Sequence, residues 1–135
     1  MDGFSSSKFT GALYPEAYAS GGLIGAGPII DCKGFTHAVF ILNVGDSSGT
    51  YTFQIEEDDI IGHGTPDDVA GATVAVTISS DNTMYVVTCD LQKRQRFLRV
   101  KDNAVAVGAV DLAATCMLTN ADNSVNYATV PTASV

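Results

Sequence analysis

Apolar residues in this chain recur with a period of two, in short runs separated by turn residues. The clearest case is Thr50 to Glu57, where Tyr51, Phe53 and Ile55 alternate with Thr52, Gln54 and Glu56. Side chains on a strand point alternately to opposite faces, so this run predicts a half-buried antiparallel strand. Thr36 to Val44 (THAVFILNV) is nearly continuous in apolar and β-branched residues. It is short for a helix and predicts a strand buried on both faces or central in a sandwich. Gly45 to Gly49 between them is a turn by composition, so these two strands are expected to form a hairpin.

Further strands are predicted at Pro28 to Cys32, Ala72 to Ile78, Met84 to Cys89, Phe97 to Lys101 and Val110 to Leu118. Asp58 to Gly71 is expected as a loop, and Leu91 to Arg96 as a polar connection containing one helical turn. Val105 to Met117 is Ala-rich and competes as a helix, but Gly108, Asp111 and its Val and Thr residues argue for a strand. About seven or eight short strands at this spacing, without strand–helix–strand alternation, define an all-β antiparallel β-sandwich or jelly roll. Residues 1–27 are rich in Gly, carry Pro15, and hold Phe4, Phe9, Leu13, Tyr14 and Tyr18 without a clean period. They are expected as an extended N-terminal arm on a sandwich domain of residues 28–135 that ends in a short tail. Aromatics have little use in a solvated linker, so the arm is expected to lie on another surface.

At 135 residues the chain suits one domain with a sizeable core. It carries 15 acidic and 7 basic residues, a net charge of -8. Such acidity argues against nucleic acid and anionic membranes as partners. The charged fraction is only 16%, and Thr, Ser, Asn, Gly and Ala take its place, as suits sheets and turns better than helices. The N-terminus lacks the charged start and apolar run of a signal peptide, so assembly and function in the cytoplasm are expected. Cys32, Cys89 and Cys116 form no Cys-x-x-Cys pair. They are expected as small buried groups, with one disulfide and a leftover thiol as the alternative.

Residues able to support chemistry are few. His37 lies in the strongest strand pattern and His63 between two glycines, and no Gly-x-Ser-x-Gly elbow occurs. Glu56 and Glu57 are adjacent, so on a continuing strand they point to opposite faces and form no catalytic dyad. Asp58, Asp59, His63, Asp67 and Asp68 supply possible cation ligands, but the Asp-x-Asp-x-Asp-Gly pattern of a calcium loop is not met. GGLIGAG at 21–27 precedes Pro28 and a predicted strand, which leaves a phosphate no helix N-terminus. No enzymatic role, cofactor or metal is expected. Five of the seven basic residues fall in one window: Lys93, Arg94, Arg96, Arg99 and Lys101. They are expected to pair with Glu56 to Asp59 inside the fold or to dock on an acidic partner, nucleic acid being disfavoured by the overall charge.

Three stretches carry a resemblance: KGFTHAVFILNVG from Lys33, GTYTFQIEEDD from Gly49, and QRFLRVK from Gln95. Together the chain resembles small auxiliary virion proteins of tailed bacteriophages, of the β-sandwich head-decoration or cement type. The likeness spans roughly residues 33 to 118. The Asp-Gly-x-x-Trp phrase that follows the acidic cluster in such proteins is missing, and the chain has no Trp. The resemblance implies a structural protein that binds the surface of a phage head in the virion and reinforces or decorates it. Its partners would be the major capsid protein and copies of itself. The expected interface residues are Phe4, Phe9, Leu13, Tyr14, Tyr18, Lys93, Arg94, Arg96 and Tyr127. The alternatives are a carbohydrate-binding sandwich, which the lack of Trp disfavours, a hydrolase or cupin-like enzyme, for which two histidines are barely enough, and a tail-tube or head-completion protein.

Overall fold

The computed structural model describes residues 7–19, 27–62, 64–77, 80–101, 105, 108–120 and 130–134. Among the described residues there are nine strands: β1 (Lys8–Ala19), β2 (Ile30–Asp31), β3 (His37–Ser47), β4 (Tyr51–Asp58), β5 (Asp67–Val76), β6 (Thr83–Asp90), β7 (Phe97–Lys101), β8 (Ala109–Thr119) and β9 (Val130–Ser134). One 3₁₀ turn, Leu91–Lys93, joins β6 to β7, and the Asp90 side chain caps it by accepting from the Gln92 N–H.

A five-stranded sheet has the order β1-β8-β3-β6-β9, and a four-stranded sheet the order β2-β7-β4-β5. Every pairing is antiparallel. The order has a simple generator. β1 pairs with β8, β2 with β7, β3 with β6 and β4 with β5. The chain is therefore one long hairpin folded over on itself, closed by β3–β8 and β4–β7 contacts. That is the connectivity of a jelly roll, with β9 added outside β6.

The expected β3–β4 hairpin does not form. The two strands lie in opposite sheets, and their inward faces meet across the core. Phe40 and Phe53, both fully buried, touch edge-to-face with ring centroids 6.4 Å apart. Ala38 to Val44 and Tyr51 to Ile55 each supply an apolar inward row, and facing rows bury more surface than the same rows side by side. Ala38, Phe40, Leu42 and Val44 of β3 meet Tyr51, Phe53 and Ile55 of β4, with Val87, Leu98, Val100, Leu112 and Leu118 filling the layer. Burying one such large side chain contributes about 1.5–3 kcal/mol.

The Ala-rich segment is a strand. Val110, Leu112, Ala114, Cys116 and Leu118 of β8 face inward, and the residues between them are less buried. The Lys8–Ala19 part of the expected arm is extended, and the surface it lies on is the chain's own sheet. It pairs along β8, with irregularities between Gly11 and Leu13 and between Leu13 and Glu16. Ala12, Leu13 and Tyr18 are buried there. β5 begins at Asp67 instead of Ala72, because Asp67 and Asp68 pair with Glu57 and Glu56. Those like charges across the strand pair are tolerated because β7 supplies cations on the other side of β4.

Candidate interaction surfaces

Four of the five residues of the basic window are paired within the fold. On the outer face of the four-stranded sheet, Arg99 of β7 stands opposite Glu56 of β4 and reaches its carboxylate at 3.5 Å. Lys101 reaches Asp68 at 3.4 Å. Arg96 forms a two-pronged pair with Asp31, at 2.9 and 2.8 Å, and lies 4.8 Å over the Phe97 ring. The Arg96 guanidinium, helped by the Lys33 backbone N–H, holds the Asp31 carboxyl well below the usual range, and Asp31 in turn raises Arg96. Glu57 points inward at the end of the core. Its carboxylate accepts from Arg94 Nη1 at 3.2 Å and from the Gln95 N–H at 2.9 Å. Among the described residues, Lys93 carries no ion pair. Lys93 and Arg94 line a groove of about 340 Å³ along the seam between the sheets, with Val69, Ala72, Thr88 and Cys89.

Of the aromatic interface candidates, Phe9 and Tyr14 are 59% and 61% exposed. Leu13 and Tyr18 are buried, and the Tyr18 hydroxyl donates to the Tyr14 carbonyl at 2.7 Å. Both serve the sandwich itself: Tyr18 stands opposite Val110, an inward residue of β8. Phe4 and Tyr127 lie outside the described residues, as does His63.

Sequence reasoning missed the most exposed large apolar pair among the described residues. Ile60 and Ile61 are 63% and 67% exposed at the tip of the β4–β5 loop. The loop is held from below by Asp58, whose carboxylate accepts from the Ile60 N–H at 2.9 Å and the Thr65 N–H at 3.2 Å. This buried carboxylate anchors the loop. The available signal was two isoleucines standing between Asp59 and Gly62, past the end of the alternating strand pattern. In the fold, Asp67 accepts from Gln95 Nε2 and Asp68 from Lys101, so these carboxylates already hold protein partners.

His37 is buried, its Nδ1 2.9 Å from Thr36 Oγ1, and its Nε2 has no hydrogen-bond partner among the described residues. The three cysteines are free and buried. Burial, with smaller contributions from the Asp31 carboxylate and Cys89, pushes the Cys32 thiol up to about 12. Burial, reinforced by Glu57 and opposed by Arg94, takes Cys89 to about 11. Cys116 is raised too, again chiefly by burial. Protonated thiols of this kind are poor nucleophiles and poor metal ligands.

No family model, curated protein or solved structure matches the chain.

Proposed function

We propose that this chain is a structural protein of a virion, which binds the capsid surface and reinforces or decorates it. The observation that carries the proposal is the apolar tip formed by Ile60 and Ile61 on a loop pinned by Asp58. Two adjacent isoleucines held in solvent gain nothing for the folded monomer. Covered by a partner, each contributes up to about 1.5–3 kcal/mol, and the Ile60 backbone is already held by Asp58, which reduces the entropy lost on docking. One such contact per copy is weak, but a lattice engages many copies. Jelly rolls serve viral and lectin domains alike, so the fold alone does not choose between them. The phage-head resemblance of residues 33 to 118 supplies the partner class.

The test is co-sedimentation with assembled shells of the major capsid protein from the same source. Wild-type chain should move with the shells, and the double variant Ile60→Ser, Ile61→Ser should stay at the top of the gradient while remaining folded. Wild-type chain that never leaves the top, or a variant that binds equally well, overturns the proposal.

A further inference from the structure

The loop that carries Ile60 and Ile61 is charged as well as apolar. From Asp58 to Asp68 it holds four Asp, one His and no Lys or Arg. Asp59 stands next to Ile60, and Asp67 begins β5 on the other limb of the loop; both are exposed. Among the described residues neither carries an ion pair. Asp67 accepts from the neutral Gln95 amide at 3.2 Å, which leaves its charge in place.

The seven cations of the chain leave these two carboxylates uncancelled. Arg94 is held by Glu57, Arg96 by Asp31, Arg99 by Glu56 and Lys101 by Asp68. Lys93 lines the seam groove, and Asp90 lines it too. Lys33 follows β2, which lies two strands from β4 and three from β5. At the usual strand spacing that is about 10–14 Å, at or beyond the screening length of about 10 Å in 0.1 M salt. Lys8 begins β1, in the other sheet. The tip is also narrow. A Cβ added at Gly62 or Gly64 would meet nothing within 4 Å, so open space adjoins the two isoleucines on their C-terminal side. A narrow apolar projection loses most water inside a pocket, where binding energy concentrates.

We infer that the partner site for this tip is an apolar recess rimmed by Lys or Arg, an assignment that rests on the capsid reading above and gives its partner a chemistry. Charge complementarity chooses that occupant. The isoleucines enter the recess and set how long the complex lasts, while Asp59 and Asp67 stay at the wet rim and set how fast it forms. The net charge of -8 draws the whole chain toward a basic surface. An anionic lipid surface would accept the isoleucines but repel both carboxylates.

Binding kinetics on immobilised shells of the major capsid protein from the same source test this, at pH 8, where histidine is ordinarily neutral. Raising NaCl from about 50 to about 500 mM should slow wild-type association about tenfold or more and leave dissociation within about twofold. Asp59→Lys should slow association about tenfold at the lower salt and flatten the salt dependence, with an unchanged circular dichroism spectrum. Asp59→Asn with Asp67→Asn should act in the same direction by about half as much on a logarithmic scale. Asp111→Lys changes the net charge as much as Asp59→Lys, but sits at the far end of the sandwich and should slow association by under about twofold. Ile60→Ser with Ile61→Ser should instead speed dissociation. If wild-type chain binds through the isoleucines but association ignores salt, or Asp59→Lys associates as fast as wild type or faster, the basic rim is overturned and the capsid reading stands. A wild type that never binds the shells, or an isoleucine variant that binds equally well, overturns both.

Discussion

Glu57 is the carboxylate whose loss should matter most to stability. It points into the end of the core, its side chain 11% exposed, and binds Arg94 and the Gln95 N–H. Glu57→Ala removes both bonds. A hydrogen bond to a charged acceptor contributes about 1.5–3 kcal/mol, and a buried N–H left without a partner costs about 1–3 kcal/mol. These overlap, since both count the Gln95 N–H. Arg94 is 29% exposed and regains water, so the ion pair itself adds only about 0.5–1 kcal/mol. The expected loss is about 2–3 kcal/mol for Glu57→Ala and about 1 kcal/mol for Glu57→Gln, whose amide oxygen still accepts from Gln95. Arg94→Met should cost about as much as Glu57→Gln, and a double-mutant cycle should return a coupling under about 1 kcal/mol. Urea unfolding, read from midpoints at constant slope, measures all four. If Glu57→Ala and Glu57→Gln cost the same, the Gln95 N–H does not depend on this carboxylate and the assignment is refuted.

Two further outcomes follow from the core and its turns. The unfolded chain releases thiol protons near pH 9, whereas folded Cys89 and Cys32 hold theirs to about 11 and about 12. Stability is therefore full below about pH 9 and falls as pH rises from 9 toward 11, by up to about 1.4 kcal/mol per unit for each thiol; thermal melts should show this slope, and a slope that persists unchanged after Cys89→Ala and Cys32→Ala would contradict it. Gly108 has φ of +72°, and a Cβ on it would collide with the Ser48 carbonyl oxygen; Gly108→Ala should cost at least about 1–3 kcal/mol in urea unfolding, and a neutral result would contradict the close approach.

Much of the sandwich was legible because its strands obey a period of two. Tyr51, Phe53 and Ile55 read as one face and are one face. Ala-rich β8 resolved correctly because its β-branched residues outweigh alanine's helical preference. β1 was illegible for a physical reason: its two register breaks shift the phase, so Ala12, Leu13 and Tyr18 are all buried though no single period joins them. The partners of β3 and β4 were equally hidden, since alternation says which side of a strand is buried but not which sheet it joins. Pairing of the basic window with Glu56 to Asp59 is one of three readings of its charge, beside an acidic partner and the disfavoured nucleic acid. The fold realises it in part: Arg99 stands opposite Glu56 and Arg94 reaches Glu57, whereas Arg96 pairs with Asp31 and Lys101 with Asp68.

The nested pairing also orders events in time. Its innermost pair, β4 with β5, is close in sequence and can form early, whereas β1 must wait for β8, about a hundred residues downstream. β3, at the centre of its sheet, lacks one neighbour until that same late strand arrives. During synthesis the N-terminal half therefore has inward apolar rows but no finished sheet to bury them in. The last third of the chain closes the structure from the middle outward, like a zip whose open ends meet last.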